Sequence, residues 1–414
     1  MALSQVKSQF KGSIGADLSL SIAAAFTNQN QPFLIVFESK EIAAFHLNDL
    51  ELLLPKEAVL FYPGSYRRPY EIEQTDNNNV LLRSEVLNRI NSQRKSSVIV
   101  TYHEALFEKV LSKKELNKNT LKISVGDMLS LDFVNNVLFE YEFKRVDFVT
   151  EPGEFSIRGG IIDVFSFAND TPYRIEFFGD EVESIRTFDI ASQLSLKPYT
   201  KFQIIPNIEH KLKHEKRVGF LDYIPQNTVV WTQNLPALFQ TTKVLFEKAK
   251  SAYKLLSESI QYNDPGALFC TSDNFKQSLQ KFSIFEVGSE TFYNTEAENI
   301  VEVNVGPQPT FNKQFKLLID DLNQKKASGF ENYICCANAQ QAQRFHDIFQ
   351  EHESVVHYKT LVLSLHQGFV NHDLKIACYT DHEIFERYHK FKLKNGFAKK
   401  QAITLREINS CLLY

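Results

Sequence analysis

The sequence predicts a multidomain α/β protein, in which a parallel-sheet α/β domain is interrupted by an inserted α+β domain with an antiparallel sheet and is followed by a small α/β domain. Three observations support this prediction. With 414 residues, the chain is too long for one ordinary core. Over the first hundred residues, short apolar runs alternate with helical patterns, which is typical of a parallel sheet with crossover helices. From about Asn117, strand patterns follow one another through tight turns, which indicates an antiparallel sheet.

The first half of the parallel-sheet domain is predicted in residues 1–116. Its apolar runs, such as "PFLIVF" and "SSVIVTY", are separated by helical stretches such as "KEIAAFHLNDLELLL". The same strand-then-helix order returns at "NTVVWTQNLPALFQ", so residues 209–306 are predicted to be the second half of this domain. The stretch between the two halves, residues 117–208, is therefore predicted to be an inserted domain.

A small α/β domain is predicted in residues 311–395, after the Gly/Pro-containing boundary "VGPQPTF". Strand patterns at "NYICCA", "TLVLSL" and "KIACYT" alternate there with helical patterns, of which the last is "DHEIFERY". The lysine-rich stretch "KFKLKNGFAKKQ" leads into residues 396–414. These last residues are predicted to be a linker toward further domains of a longer protein.

The composition is that of a globular protein, with 43% hydrophobic and 23% charged residues. A formal net charge of -4 argues against a surface that is basic all over, so nucleic-acid contact would need a local patch. The five cysteines include no C-x-x-C pair, and His382 and His389 are too few for a zinc site, so no metal is expected. Scattered cysteines favour a cytoplasmic location, and because no run of ~20 apolar residues occurs, no membrane contact is expected.

The stretch "GSIGADLS" lies where a phosphate-binding loop would precede the first helix of a nucleotide-binding domain, and Gly12 and Gly15 are its glycines. A working loop has the pattern G-x-x-x-x-G-K-[ST], in which the lysine meets the phosphate charges and the hydroxyl holds magnesium. Counted from the first glycine, the last three positions hold Asp17, Leu18 and Ser19. A carboxylate repels a polyphosphate and leucine supplies no countercharge, so we expect no ATP binding at this loop.

The second half of such a site, an apolar strand that ends in Asp-Glu, is also altered. The apolar run in "NTVVWTQN" is followed by Thr232 and Gln233, so both carboxylates that would hold magnesium and activate water are missing. Asp180 and Glu181 in "IEFFGDE" follow apolar residues too, but the glycine before them predicts a turn between two strands. We therefore expect no catalytic residues in this chain.

Residues 151–189, "EPGEFSIRGGIIDVFSFANDTPYRIEFFGDEVESIRTFD", with "RVDFV" before them and "LFYPGSYRRPY" upstream, resemble the N-terminal region of the bacterial transcription-repair coupling factor family, Mfd. The resemblance covers nearly the whole chain. It extends more distantly to UvrB, the helicase subunit of excision repair, whose intact phosphate loop aligns with "GSIGADLS". Because both nucleotide motifs are lost, the sequence is expected to be closer to the coupling factor than to UvrB.

The resemblance implies a UvrB-like body: a degenerate RecA- or helicase-like domain without nucleotide chemistry, an inserted domain that recruits UvrA, and a further small domain. It also implies that ATP and magnesium belong to motor domains that this sequence lacks, so no cofactor is expected for the chain. Contacts with RNA polymerase and DNA are expected only through C-terminal domains of the family. Other domains of the full-length protein are expected partners for an autoinhibitory docking.

A candidate partner-binding face lies in the inserted domain. In "YRIEFF", side chains are predicted to alternate between the core and the outer face of the sheet, with Arg174, Glu176 and Phe178 outward. An arginine and a large aromatic residue on one face are typical of interaction hot spots. Arg158, ahead of a Gly-Gly pair, could join them from the neighbouring strand. The resemblance assigns Arg158, Arg174 and Phe178 to contact with UvrA.

The alternative for this face is a cross-strand charge ladder. In the ladder, Arg174 pairs with Asp163 or with Glu176, and Phe178 covers the edge of the sheet. The same residues would then only stabilise the inserted domain. The residue pattern alone leaves both alternatives open.

The first functional hypothesis is a binding module that recruits UvrA to a stalled polymerase in transcription-coupled nucleotide excision repair, with no ATP hydrolysis of its own. The second is an ATP-dependent, damage-binding helicase subunit like UvrB, which would bind nucleotide. A third hypothesis, DNA binding without ATP, would use the lysines between Lys201 and Arg217. The missing lysine and carboxylates favour the first.

Overall fold

The protein was analysed as a computed structural model, which describes residues 6–29, 31–65, 70, 77–91, 96–167, 169, 171–206, 216–255, 263–293, 295–352 and 355–387. The predictions for residues 396–414, for His389 and for the lysines of residues 207–215 concern residues outside this set. Within it, no helix combines the length and the apolar character needed to cross a membrane.

The chain begins with alternating strands and helices. The strand Phe33–Phe37 is buried at all five positions, as expected for a strand that is covered on both faces of a parallel sheet. The helix after it begins at Ser39, whose Oγ accepts a hydrogen bond from the backbone N–H of Ile42. The elements of this first part are β1 (Lys7–Lys11), α1 (Ala16–Asn28), β2 (Phe33–Phe37), α2 (Lys40–Leu53), β3 (Val59–Phe61), α3 (Asn77–Asn91), β4 (Val98–Tyr102), α4 (His103–Leu106), β5 (Val110–Leu111) and α5 (Lys113–Lys118).

A six-stranded sheet with one helix follows, and we call it the antiparallel-sheet unit. Its strands are β7 to β12, in the order β12-β11-β10-β9-β8-β7, and all neighbours are antiparallel except β7 and β8. Its helix lies before the sheet in the sequence and buries Val134 and Leu138. The elements are β6 (Leu121–Ser124), α6 (Leu131–Glu140), β7 (Lys144–Arg145), β8 (Glu154–Arg158), β9 (Ile161–Val164), β10 (Tyr173–Phe178), β11 (Glu181–Phe188), β12 (Ser195–Tyr199) and β13 (Lys201–Ile204).

The next part of the chain returns to the first sheet. A seven-stranded parallel sheet forms in the order β17-β1-β16-β15-β2-β4-β3, so its strands come from both sides of the antiparallel-sheet unit. We call this sheet with its helices the parallel-sheet unit, and the predicted parallel α/β arrangement is confirmed. Its later elements are β14 (Arg217–Val218), α7 (Phe220–Tyr223), β15 (Val229–Gln233), α8 (Leu235–Lys254), α9 (Pro265–Leu268), α10 (Ser272–Leu279), β16 (Ser283–Val287) and β17 (Ile300–Glu302).

The antiparallel-sheet unit is attached through paired strands at its entry and exit. β5 pairs with β14, and β6 pairs with β13, both in antiparallel fashion. One continuous apolar cluster extends from buried residues of the parallel sheet, such as Val100, to buried residues of the antiparallel sheet, such as Ile175. The two units therefore share a core, which attaches the antiparallel-sheet unit to the parallel-sheet unit.

The last described part is a five-stranded mixed sheet with flanking helices, which we call the mixed-sheet unit. Its strand order is β18-β21-β22-β19-β20; β20, β19 and β22 are parallel, whereas β21 runs antiparallel to both of its neighbours. The elements are β18 (Val305–Pro307), α11 (Phe315–Ala327), β19 (Glu331–Cys336), α12 (Ala339–Glu351), β20 (Lys359–Val362), β21 (Phe369–Asn371), β22 (Ile376–Thr380) and α13 (Asp381–Ile384).

The helix predicted from "DHEIFERY" is present but shorter than the pattern indicates, because α13 is a single turn, Asp381–Ile384. The carboxylate of Glu383 accepts hydrogen bonds from the backbone N–H of Gly368 and from the hydroxyl of Thr380, both at 2.6 Å. Glu386 then adopts a positive φ of 52°, which ends the helical path. The short strand β21 was not predicted either, because three residues are too few to show an alternating pattern.

The turn between β8 and β9 leaves no room for a side chain at Gly160, which leads to a prediction about the stability of the antiparallel-sheet unit. A Cβ added at Gly160 would lie 2.8 Å from the carbonyl oxygen of Phe177 on β10, whereas one added at Gly159 would meet no atom within 4 Å. We expect Gly160→Ala to lower the free energy of unfolding by about 1–3 kcal/mol, because the backbone of β10 has to move. Urea unfolding of the full chain measures this. Gly159→Asn is the matched control, since Asn tolerates the positive φ of 61°; an equal loss in both variants would contradict the steric explanation.

Candidate functional site

The candidate partner-binding residues lie on one side of the antiparallel sheet, which we call the outer face. Along β10, buried and more exposed residues alternate, and Arg174, Glu176 and Phe178 point away from the core as predicted. Arg174 lies opposite Asp163 of β9 in the register of the two strands. Directly opposite residues share a face, so the pleat of the sheet brings these side chains together. The outer face consists of Arg158, Asp163, Arg174, Glu176, Phe178, Ser184 and Arg186.

One carboxylate organises two of the arginines. The Nε and Nη2 of Arg174 donate hydrogen bonds to Oδ1 and Oδ2 of Asp163 at 2.7 and 2.8 Å. Arg158 donates from Nη2 to the same Oδ2. The side chain of Asp163 is 1% exposed, so its charge is stabilised by these two guanidinium groups rather than by water. Asp163 therefore fixes the positions of both arginines.

Arg174 has further contacts besides those with Asp163. Its Nη1 donates to the carbonyl oxygen of Gln193 at 3.2 Å, and its guanidinium lies 4.8 Å from the ring centre of Phe188. Its side chain is only 16% exposed. Hydrogen bonds from Arg174 to Asp163 raise the pKa of the guanidinium, so it stays charged at every physiological pH. A partner would meet a fixed cation with few free N–H groups.

The second ion pair of the outer face joins β10 to β11. Arg186 donates from Nη2 to Oε2 of Glu176, which also accepts a hydrogen bond from the hydroxyl of Ser184 at 2.6 Å. The three guanidinium groups are paired with the carboxylates of Asp163 and Glu176, and Glu181, opposite Phe178, adds a third carboxylate at the hairpin end of the face. The part of the face that carries the arginines is complementary to acidic side chains of a partner.

Phe178 has the opposite character to Arg174, because its side chain is 78% exposed. The strand that carries it, β10, lies between β9 and β11, so Phe178 does not cover a sheet edge as the ladder alternative predicts. The ladder itself does form, through Arg174 and Asp163 and not through Glu176. Charge pairing within the sheet and an exposed aromatic side chain therefore coexist on the outer face.

The predicted degenerate phosphate loop, Gly12 to Ser19, lies between β1 and α1 and keeps its glycine geometry. Gly12 and Gly15 have φ values of 87° and 59°. The space beside the loop is filled by the mixed-sheet unit: the backbone N–H of Ala16, at the start of α1, donates to the carbonyl oxygen of Gln367 at 3.2 Å. A Cβ added at Gly15 would lie 3.0 Å from the carbonyl oxygen of Gly368. An N–H group that would face a phosphate in a working loop thus bonds a carbonyl oxygen of this chain.

The three positions that replace the lysine pattern all have structural contacts. Asp17 accepts hydrogen bonds from the Asn371 side-chain amide at 3.0 Å and from the Ser13 hydroxyl at 2.7 Å. Leu18 is buried in the core of the parallel-sheet unit. Ser19 is also buried, and its hydroxyl bonds with side chains of α2. All three residues are buried.

The altered Asp-Glu position is at the end of β15. Thr232 is buried and lies opposite Glu286 of β16, and the carbonyl oxygen of Gln233 is 3.2 Å from Nε2 of His103. Glu286 is a carboxylate at this edge that sequence analysis missed. Its two oxygens accept the backbone N–H groups of Phe292 and Tyr293, and burial raises its pKa. Its hydrogen-bonding capacity serves to fix a loop.

Comparisons with known proteins identify relatives of this chain. The UvrB interaction domain family matches residues 121–210, which contain the whole outer face. The chain is 24% identical to the transcription-repair-coupling factor of Bacillus subtilis (strain 168) over 96% of its own length and 39% of that protein. The chain is similar to the N-terminal region of transcription-repair-coupling factors.

Two further relatives also match the chain over only part of their own length. The transcription-repair-coupling factor of Myxococcus xanthus is 32% identical over 40% of the chain and 14% of its own length. The UvrABC system protein B of Thermotoga neapolitana is 24% identical over 58% of the chain and 37% of its own length. The chain spans about two fifths of the Bacillus subtilis protein. The Arg158, Arg174 and Phe178 of the outer face all lie in the matched domain.

A buried polar cluster joins the parallel-sheet unit to the mixed-sheet unit. Asp49 on α2 accepts the backbone N–H of His366 at 2.9 Å, and its Oδ2 lies 2.5 Å from Nδ1 of the same residue. The hydroxyl of Ser19 donates to Oδ2 of Asp49 at 3.0 Å and lies 2.8 Å from Nδ1 of His46. These hydrogen bonds tie the end of the degenerate phosphate loop to a loop more than 300 residues away.

The same cluster is the candidate metal-ligating set in the part of the chain that the structure describes. The three candidate ligand atoms lie within 4.8 Å of one another and belong to His46, Asp49 and His366. Two imidazoles and a carboxylate suit a transition metal such as zinc. The side chains already bond with each other and with Ser19, however, so the geometry is that of a hydrogen-bonded link between the two units.

The pKa of His46 generates a prediction about this link. Burial, and to a smaller extent the neighbouring His366, lower the pKa of His46 well below its usual value, so the folded protein holds it neutral. The unfolded chain binds a proton near pH 6.5, so acidification favours unfolding. We expect His46 to reduce the free energy of unfolding by up to about 1.4 kcal/mol per pH unit below pH ~6.5.

Urea unfolding of the full chain between pH 7.5 and pH 5 measures this effect. The control is His46→Asn, which removes the titrating ring but not the other buried histidines, His103 and His382, whose pKa values burial also lowers. The variant is expected to lose stability less steeply on acidification. Equal slopes for the variant and the unaltered chain would show that His46 does not carry the effect.

Proposed function

We propose that this chain is a protein-docking module that binds UvrA and recruits it in transcription-coupled nucleotide excision repair, with no ATP hydrolysis of its own. The observation that carries the proposal is the outer face: an exposed Phe178 beside arginines that are fixed by Asp163. The match of the UvrB interaction domain to the same residues supports it. The matched relatives are named for the coupling of transcription and repair, which supports the process.

The physical argument for docking is preorganisation. Arginine side chains normally lose rotamer freedom on binding, which reduces affinity. On the outer face, Asp163 has already ordered Arg158 and Arg174 in the free protein, so less entropy remains to be lost. Phe178 supplies apolar area that is almost wholly available for burial. Fixed cations around an exposed aromatic ring fit a partner surface with carboxylates around an apolar pocket.

A further role of the same face belongs to this proposal. In a longer protein, the outer face could dock on another domain and be released on activation. Such an autoinhibitory docking would use the same charged and aromatic side chains, so it would compete with UvrA. Contacts with RNA polymerase and DNA belong, on this proposal, to segments other than the outer face.

Loss of the side chains of the outer face should weaken UvrA binding. We expect Phe178→Ala and Arg174→Ala each to cost ~2–4 kcal/mol of binding free energy, about 30-fold or more in affinity, because each removes a group at the centre of the contact. Isothermal titration calorimetry with UvrA measures this. Phe178→Ala is the cleaner variant, since Arg174→Ala also deprives Asp163 of a partner.

The matched control is Phe133→Ala. Phe133 is a partly exposed phenylalanine of the same unit, but it lies on α6, the helix whose buried residues join the core cluster on the inner side of the sheet. Its replacement is expected to leave the affinity for UvrA unchanged. If both outer-face variants bind UvrA as tightly as this control does, the proposed face is wrong.

The absence of nucleotide binding is the second part of the proposal. It is supported by Asp17 in the loop, by the buried Leu18 where a lysine is needed, and by the carbonyl oxygen of Gln367 on the first N–H of α1. The similarity to UvrABC system protein B favours the alternative, a nucleotide-binding helicase subunit. The two candidates differ in their behaviour with ATP.

Calorimetric titration of the full chain with ATP and Mg²⁺ is expected to give no heat of binding up to millimolar nucleotide, because the phosphate position is filled and carries a carboxylate. The variant Leu18→Lys restores the lysine but leaves Gln367 in place. It is therefore also expected to give no heat of ATP binding. Measurable binding by the unaltered chain would favour the helicase alternative over a module without nucleotide chemistry.

A further inference from the structure

A second apolar side chain stands beside Phe178. The segment before α6 runs along the start of β11 as a short additional strand: the N–H of Leu129 donates to the carbonyl oxygen of Asp180 at 2.8 Å, and the N–H of Val182 donates to that of Asp127 at 3.0 Å. This pattern places Met128 opposite Glu181. Sequence analysis did not single out this methionine.

Met128 and Phe178 lie on the same face of the sheet. Glu181 is opposite Phe178 on one side and opposite Met128 on the other, and directly opposite residues of antiparallel strands share a face. The three side chains form a row across the tip of the hairpin, with the two apolar groups roughly 10 Å apart, two strand spacings. Met128 thus extends the outer face beyond the strands that define it.

Both apolar groups are unusually exposed. The side chains of Met128 and Phe178 are 73% and 78% exposed, the highest values for a large apolar residue among the described residues of the antiparallel-sheet unit. A pair of such groups on one face is a mark of an interaction site more than of a core. Methionine in particular adapts its flexible thioether to irregular apolar pockets.

Met128 is held in place by the backbone and not by packing of its side chain. Gly126, with a φ of 88°, makes the turn after β6, and the carboxylate of Asp127 accepts the backbone N–H of Ser124 at 2.6 Å. The N–H of Gly126 also donates to the carbonyl oxygen of Val182 at 2.8 Å. The backbone therefore presents the methionine in a fixed direction, as Asp163 does for the arginines.

We propose that Met128 and Phe178 together form the apolar anchor of the outer face and enter one apolar pocket of UvrA. This inference rests on the proposed function. Continuity with the outer face identifies the occupant: a partner that covers Phe178 and the neighbouring arginines lies within one strand spacing of Glu181 and reaches Met128. Because exposed Glu181 stands between the two apolar side chains, the pocket is expected to present a basic side chain to its carboxylate.

The test measures binding of the full chain to UvrA by calorimetry for Met128→Ala, Phe178→Ala and the double variant. Met128→Ala is expected to weaken binding by about tenfold, the effect of losing most of a buried methionine side chain. Met128→Glu should weaken it further, because it places a charge in an apolar pocket. If both groups share one pocket, the fold-loss of affinity of the double variant should be smaller than the product of the fold-losses of the two single variants.

The controls separate the failure of this inference from failure of the proposed function. Leu374→Ala removes an exposed apolar side chain from the mixed-sheet unit and should leave UvrA binding unchanged. If Phe178→Ala weakens binding while Met128→Ala and Met128→Glu bind as the unaltered chain does, the anchor is Phe178 alone and this inference is overturned, whereas the proposed function stands. If no outer-face variant changes the affinity, the proposed function itself is overturned. Since Met128 and Phe178 are exposed, their variants are expected to unfold at the urea concentration of the unaltered chain.

Discussion

The outer face depends on the buried carboxylate of Asp163. An ionised carboxylate with almost no exposure to water is unfavourable unless it is paired, and two guanidinium groups supply that pairing. The same interaction that stabilises Asp163 orders Arg158 and Arg174, so internal stability and surface organisation have one origin. The charge ladder and the proposed binding surface are therefore compatible. A cross-strand pair that would be a structural detail in another sheet defines the surface when Phe178 stands exposed beside it.

The predicted degenerate phosphate loop makes an internal contact with the mixed-sheet unit. Glycines with positive φ and free N–H groups at the start of α1 are features that bind a phosphate, and they bind a carbonyl oxygen equally well. The mixed-sheet unit supplies that oxygen from Gln367, and Asn371 pairs with the carboxylate that replaces the glycine of a working loop. The altered loop is thus part of a contact between two parts of the chain, and replacing a single residue would not remove that contact.

Patterns of local sequence predicted a good part of this structure. The alternation in "YRIEFF" predicted that Arg174 and Phe178 face outward, and the strand-helix order predicted a parallel sheet. Contacts between distant residues could not be predicted in this way. The double pairing of Asp163 depends on the register of three strands, and the link from Asp49 to His366 joins residues 317 positions apart. Met128 was missed because its strand is only a bridge and leaves no alternating pattern.

The antiparallel-sheet unit and the mixed-sheet unit contact the parallel-sheet unit in different ways, and this implies that they differ in mobility. The antiparallel-sheet unit shares a continuous apolar core with the parallel-sheet unit and is tied to it by two strand pairs at its base. The mixed-sheet unit meets the parallel-sheet unit through a small apolar cluster around Ala16 and Phe369 and through the buried histidines and Asp49. Apolar burial does not respond to pH, whereas a link with a neutral buried histidine weakens when that ring must be protonated. The outer face is therefore expected to move less than the mixed-sheet unit, and any rearrangement within this chain is expected to begin at the polar link beside the degenerate phosphate loop.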